Sequence, residues 1–322
     1  MATVSVFNLT SSIVTLLCSF LVGLFISLGV SHDLTSLRVQ MQQLTTLDLN
    51  HDSVEFARLL AGKRAIISDV SELQDAFARL ARVAQAFGRF VPASVVRNIV
   101  RGNERANRLH VSRREVTIMF SDVQGFTKIA EDLTPQDLLF ILTRYLTVMT
   151  EAVERYEGVV TEILGDGMLA FWNTPDDVPD HATRACQAAL VQQSALVRLN
   201  EQLAQQRLPK LSIRIGLHTG MVLSGNLGSE TKMKFGCMGD PVNLASRLEG
   251  LCKNYGVVII CSGATQKMLQ KECGFLLRRL DEVMVKGKRT PTEIFEVMGV
   301  GEADVPPTPV DHVRSRAALS SA

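Results

Sequence analysis

A mixed α/β layer structure of the α+β class is what this sequence predicts for residues 115–299. From Glu115 onward, short apolar runs of strand length alternate with longer segments of helical period. Gly- and Asp-rich turns separate the two kinds of segment, as they do in two-layer folds. The part before Glu115 differs: it holds an uncharged apolar run and two heptad seams. Composition narrows the classes. With 46% apolar and 21% charged residues among 322, the chain buries a core and is not wholly disordered. Lys+Arg 34 against Asp+Glu 33 gives a net charge of +1, so no basic field selects nucleic acid as a partner. Cys18, Cys186, Cys237, Cys252, Cys261 and Cys273 form no C-x-x-C pair, which argues against a zinc site or disulfide framework and for reduced thiols in a cytosolic domain.

The first element is an anchor, residues 1–31. Ile13 to Val30 is an 18-residue run without charge. At 1.5 Å per residue it spans about 27 Å, close to the roughly 30 Å hydrocarbon layer once Phe7 to Ser12 contribute. A single-pass helix in a lipid membrane through residues 7–30 is expected, with residues 115–299 in the cytoplasm. The competing reading, a cleaved signal peptide, lacks a basic residue before the apolar core and an A-x-A-like site after it.

Residues 32–91 carry the heptads. One seam steps through Val30, Leu34, Leu37, Met41 and Leu44, and another through Val70, Leu73, Phe77, Leu80, Ala84, Phe87 and Val91. A lone helix cannot bury an a/d seam, whereas a parallel dimer can. Two such helices around a polar connector, Leu47 to Lys63, directly after a membrane span, resemble a HAMP signal-relay module. A plain dimerising stalk is the alternative. Residues 92–114 follow as a basic hinge, with Pro92 as a helix breaker and Arg101, Arg105, Arg108, Arg113 and Arg114 clustered.

Within 115–299, strands are expected at 116–121, 159–164, 168–172, 213–218, 221–225, 235–238, 257–261, near 275–279 and at 292–297. Helices are expected at 135–156, 180–205, 241–255 and 263–269. Residues 300–322, with three prolines and little apolar content, read as a disordered tail.

Three segments carry chemistry. In Phe120-Ser121-Asp122-Val123-Gln124-Gly125-Phe126-Thr127 an acidic residue ends a strand, and a glycine turn opens a helix. Such a turn offers backbone N–H groups to phosphate oxygens, and the carboxylate at its lip can hold Mg²⁺. In Glu162-Ile163-Leu164-Gly165-Asp166-Gly167, a hairpin can bring Asp166 beside Asp122, giving two carboxylates for the metal pair that phosphoryl transfer uses. In Met238-Gly239-Asp240-Pro241-Val242-Asn243-Leu244-Ala245-Ser246-Arg247, Pro241 suits a helix start. Asn243 and Arg247 share one helical face, able to address a ribose and a developing phosphorane charge. Taken singly, each segment is more often a turn former or a solvated face.

In this order and inside this strand pattern, FSDVQGFT, ILGDG, NLASR and VKGK resemble the catalytic domain of class III adenylate and guanylate cyclases. The resemblance implies a ferredoxin-like βαββαβ core that pairs head to tail, with active sites at the homodimer interface. It gives the metal-binding role to Asp122, the Val123 backbone and Asp166, with two Mg²⁺ or Mn²⁺ per site. It gives phosphate contacts to Gly125, Phe126 and Thr127, ribose orientation to Asn243 and transition-state stabilisation to Arg247, the last two reaching in from the partner subunit. Lys286 matches the triphosphate lysine, and Lys232 is a looser candidate. The implied reaction is attack of the ribose 3′-oxygen on the α-phosphate with loss of pyrophosphate. His181 and His218 read as structural.

Two positions select the base in the family, and here they hold Glu162 and Gly236. A carboxylate accepts from guanine N1–H and N2–H₂, whereas adenine offers N1 as an acceptor. Glu162 therefore favours GTP. Gly236 departs from the cysteine of animal guanylate cyclases and from the aspartate or threonine of adenylate cyclases, and the adjacent Cys237 is one residue out of register. ATP thus stays as the alternative substrate. A catalytically inactive regulatory dimer is a further reading, set against the presence of Asp122, Asp166, Asn243 and Arg247.

Overall fold

In the computed structural model the chain divides into two units, residues 1–107 and 108–322. The structure describes residues 2–44, 65, 68–88, 90–102, 108–285 and 290–301. The connector 47–63, Arg105, Lys286 and the tail from 302 lie outside the described residues.

The first unit is helical. Helix α1, Ala2–Leu44, runs without a break through both the apolar segment and the first heptad seam. Ile13–Gln42 is long and apolar enough to cross a membrane. Helix α2, Ser68–Phe87, carries the second seam, and α3, Ala93–Val100, starts after Pro92. Leu37, Phe77, Ala81 and Val96 form a small buried cluster, with Val91 and Val100 against it. Leu34, Leu73, Leu80 and Phe87 of the seams stay exposed.

The second unit is one mixed sheet with helices on both faces. Strand β1, His110–Val123, is followed by α4, Phe126–Asp132, and α5, Pro135–Arg155. The hairpin β2, Val159–Leu164, and β3, Gly167–Trp172, leads to α6, His181–Gln205, and then β4, Ile213–Gly228. This is the βαββαβ order, with strands in the spatial order β2-β3-β1-β4. Then come β5, Met233–Met238; α7, Asp240–Tyr255; β6, Ile259–Ser262; the short α8, Gly263–Lys267; β7, Phe275–Val283; and β8, Thr292–Val300. Strand β5 pairs with β4, while β6, β8 and β7 continue the sheet beyond it; only β4 and β6 run parallel.

Several strands are longer than the sequence predicts: β5, β7 and β8 by a few residues at one end, and β1 and β4 through their mutual pairing. Expected strands 213–218 and 221–225 are one, because β1 pairs with β4 along its whole length, Thr117 opposite Thr219 and Val116 opposite Gly220. Strand β1 likewise begins at His110, since its outer half pairs with the far end of β4. Arg113 and Arg114 therefore lie in a strand, and Arg114 is ion-paired with Asp177 and donates to the Pro175 carbonyl.

Strand alternation sorts β1 between two cores. Met119 and Val123 face α5 and α6 in the main core, with Met168, Trp172, Ile213, Ile215 and Leu217. Val116 and Ile118 pack on the other face with Leu169, Phe171, Val222 and Ala245 of α7. Helix α5 is well begun: Thr134 Oγ1 accepts from the Asp137 N–H at 3.2 Å and Pro135 occupies the first turn. Helix α7 sits so close to β4 that a Cβ on Gly216 would lie 2.3 Å from the Ala245 carbonyl oxygen and the Glu249 nitrogen.

His181 and His218 occupy the ends of a buried hydroxyl chain. His181 Nδ1 meets Thr117 Oγ1 at 2.7 Å, Thr117 meets Thr219, Thr219 meets Thr265, and Ser262 joins Thr265 to His218 Nδ1. Burial lowers the His181 pKa. Both rings serve the interior.

Candidate active site

Strand β1 ends on the sheet's α7 face with Asp122, and the β2–β3 turn brings Asp166 to it. Asp166 Oδ2 accepts the Val123 backbone N–H at 3.1 Å, fixing the turn to the strand end. Gly165 holds φ 69° in that turn and Gly125 holds φ 72° before α4, both in the left-handed region that glycine occupies without strain. Gly167 is closely surrounded beside Asp122. A Cβ there would meet the Leu164 carbonyl at 3.3 Å, the Ser121 carbonyl at 3.4 Å and Asp122 Oδ1 at 3.6 Å.

The electrostatics of the pair follow from its crowding. Asp166 is pushed up to about 6, first by burial and then by the neighbouring Asp122. Two neighbouring carboxylates form an oxygen donor set of the kind that hard divalent cations take. The side chains fit such an ion: Asp122 and Asp166 supply the carboxylate oxygens, with Asp166 fixed beside the strand end by the Val123 N–H.

Three further residues surround the acids. Arg214, directly opposite Asp122 in the β1–β4 register, donates from Nη2 to Asp122 Oδ2 at 2.9 Å. Its Nε lies 2.8 Å from Glu249 Oε1 on α7. Burial raises the Glu249 pKa, and Arg214 partly offsets this. Tyr145 of α5 is buried behind the acids, its hydroxyl beside Ser121. Burial and the charge of Asp166 hold that hydroxyl in its protonated form. None of the three was marked by the motifs. Arg214 did carry a signal, a charge inside the apolar strand Ile213-Arg214-Ile215.

Helix α7 bears Asn243 and Arg247 one turn apart, Asn243 exposed and Arg247 half-buried. Among the described residues, Arg247 Nη1 is buried without a hydrogen-bond partner. Such a group costs free energy until it finds an acceptor.

The residues expected around the base lie on β2, on β5 and in the β4–β5 turn. Glu162 on β2 pairs with Lys234 of β5, Nζ to Oε1 at 2.6 Å. Gly236 lies two residues further along β5, buried, and a Cβ there would touch only Leu227 Cδ1 at 3.8 Å. Cys237 turns into the apolar cluster of Val116, Ile118 and Val222, and burial pushes its thiol up to about 11. Lys232 is exposed in the β4–β5 turn, where the Ser229 N–H donates to its carbonyl at 2.8 Å. Phe126 packs against the main core, Gly125 and Thr127 are exposed, and no side chain caps α4.

Comparison with known proteins adds three findings. The sequence pattern of the adenylate and guanylate cyclase catalytic domain matches residues 110–299. Adenylate cyclase 1 of Rhizobium meliloti (strain 1021) is 31% identical over 282 residues, covering 88% of this chain; the chain spans only 41% of that relative's length. Among solved structures, the guanylyl cyclase Cya2 aligns at 33% identity and TM-score 0.54 over 60% of this chain and 96% of its own. The adenylyl cyclase CyaB from P. aeruginosa aligns at 28% and 0.56, over 61% and 100%.

Proposed function

Because the chain belongs to the adenylate and guanylate cyclase catalytic domain family, we propose that it converts a purine nucleoside triphosphate, GTP in preference to ATP, to the 3′,5′-cyclic monophosphate and pyrophosphate. The observation that carries this reading is the Asp122–Asp166 pair, with Asp166 held at the end of β1 by the Val123 N–H. Divalent cations, two Mg²⁺ or Mn²⁺ per site on Asp122, Asp166 and the Val123 carbonyl, would neutralise the triphosphate and acidify the ribose 3′-hydroxyl.

The chain's own residues supply position and charge. Asn243 orients the ribose so that its 3′-oxygen stands in line with the α-phosphorus and the leaving oxygen. The 3′-oxygen forms the new bond to phosphorus as its proton leaves to solvent, and the bond to the β-phosphate oxygen breaks, releasing pyrophosphate. Arg247, whose buried Nη1 has no hydrogen-bond partner among the described residues, meets the charge that develops on the phosphorane oxygens. The α4 N–H groups after Gly125, with Lys286 and Lys232, hold the phosphates. Glu162 accepts from guanine N1–H and N2–H₂. Asn243, Arg247 and the base pocket act on the metal half of a partner subunit, so a symmetric homodimer forms two sites.

The anchor and linker complete the reading. Helix α1 holds the protein on a lipid membrane, with the catalytic unit in the cytoplasm. The seams of α1 and α2 dimerise it.

The test is turnover of GTP and ATP by the purified chain in detergent, with Mg²⁺ and with Mn²⁺, following cyclic nucleotide and pyrophosphate together. Cyclic GMP formed faster than cyclic AMP is the expected result. Faster turnover of ATP overturns the base preference. No cyclic product from either nucleotide, in a verified dimer, overturns the activity and leaves a regulatory dimer.

A further inference from the structure

Helices α5 and α6 cover the face of the sheet opposite α7, and a groove of about 250 Å³ runs between them. Its floor is Ala152 of α5 with Ala195 and Leu199 of α6, all buried. Alanine at both facing positions leaves the gap, while their neighbours Met149, Val153 and Leu196 turn into the main core. Its rim is polar: Glu151 and Arg155 of α5, and Arg198 and Gln202 of α6. Both arginines are exposed, and neither is in an ion pair among the described residues, although Glu151 precedes Arg155 by one helical turn. Two unpaired guanidinia therefore converge on one apolar floor.

We propose that this groove is a second ligand site, which takes a small organic monoanion, a carboxylate carried on an apolar body. A guanidinium is a planar fork of donors that matches a carboxylate, and Arg155 and Arg198 offer one from each wall. The Gln202 amide adds a neutral donor. Ala152, Ala195 and Leu199 take the apolar body out of water. Glu151 limits the charge of the ligand: two guanidinia against one carboxylate leave the rim at +1, the complement of a monoanion, and a phosphate dianion would stand against Glu151. The volume limits its size, since it falls below the roughly 300–1,000 Å³ of sites for drug-sized ligands. A short soluble acid fits, and a membrane lipid does not. The site is separate from the candidate active site, because Asp122 lies on the α7 face, and it does not depend on the cyclase reading.

The test is binding of sodium hexanoate to the full-length protein in detergent, read by saturation-transfer NMR with no nucleotide present. Saturable binding with half-saturation at about millimolar concentration is expected of so few heavy atoms, and hexylammonium should not compete for the site. Arg155→Gln combined with Arg198→Gln should weaken hexanoate by about tenfold or more. Both side chains are exposed, so the double variant should keep its fold, which circular dichroism checks. Ala195→Leu, which fills the floor and leaves the charges in place, should weaken hexanoate as well. No saturable binding up to about 50 mM overturns the proposal. So does hexanoate that binds the double variant as it binds the wild type, or hexylammonium that displaces it. Hexyl phosphate that binds more tightly than hexanoate overturns the choice of a monoanion.

Discussion

Arg214 and Asp122 stand directly opposite each other on β4 and β1, and the guanidinium reaches the carboxylate at 2.9 Å while its Nε lies 2.8 Å from Glu249 of α7. One side chain thus ties the first acid of the candidate metal pair to the helix that carries Asn243 and Arg247. In a head-to-tail homodimer, those two halves serve different active sites. In the dimer proposed above, Arg214 would position both.

Arg214→Met should uncouple them. Removing the arginine leaves Glu249, a mostly buried carboxylate, without its cation, and breaking such a pair costs about 3 kcal/mol. Turnover should fall about 10- to 100-fold, the range seen when an outer partner of a metal ligand is lost. The informative measurement is activity against Mn²⁺ concentration: the midpoint should shift as well as the plateau. A variant with wild-type metal dependence and turnover would leave Arg214 as scaffold alone.

The crowding of Asp166 predicts a pH dependence whose sign is opposite to that of an ordinary ion-paired carboxylate. Its folded pKa, about 6, stands above the ordinary carboxylate value of 3.8. As pH rises, the unfolded chain releases this proton first, so the group's contribution to stability is present at low pH and is lost between about pH 4 and pH 6. Compared with Asp166→Asn in EDTA, the wild type should lose about 2–4 °C of Tm across that window. Mn²⁺ should remove the difference. A wild type that gains stability over the same range would contradict the crowded pair.

Much of this site was legible before any coordinates. Asp122, Asp166, Asn243 and Arg247 each sit in a motif whose local geometry, a strand end, a glycine turn or a helix face, is written in four to eight consecutive residues. What escaped was long-range. Arg214 meets Asp122 only through the β1–β4 register, Tyr145 approaches the acids only because α5 packs on the opposite face of the sheet, and Lys234 finds Glu162 only through the course of the sheet. Strand ends escaped for the same reason. Thr219-Gly220 looks like a turn in isolation, and its pairing with Val116 and Thr117 carries the strand straight through it.

Gly216→Ala tests how tightly α7 must sit. A methyl group would lie 2.3 Å from the Ala245 carbonyl oxygen and the Glu249 nitrogen, so the helix must move away from β4. Overpacking of this kind costs about 1–3 kcal/mol. Because the displaced helix carries Asn243 and Arg247, kcat should fall more than the nucleotide KM rises, in protein that is still folded at the assay temperature by circular dichroism. An unchanged kcat would mean that α7 has slack which the structure does not suggest.

Helix α1 presents Ile13, Leu16, Phe20, Leu24, Phe25 and Leu28 with 45–76% of their surface exposed, an apolar run that no other described residue covers. About 25 cal/mol per Å² of apolar surface favours removing them from water, and the run is long enough for a bilayer to do so. The full chain should therefore stay with the membrane fraction through a carbonate wash. Leu17→Arg together with Leu21→Arg places two charges near the middle of the span, each costing about 2.5–3.5 kcal/mol on the insertion scale. That variant should move to the soluble fraction while its cyclase activity, measured on the same preparation, persists. If it stays on the membrane, α1 is not what holds the protein there.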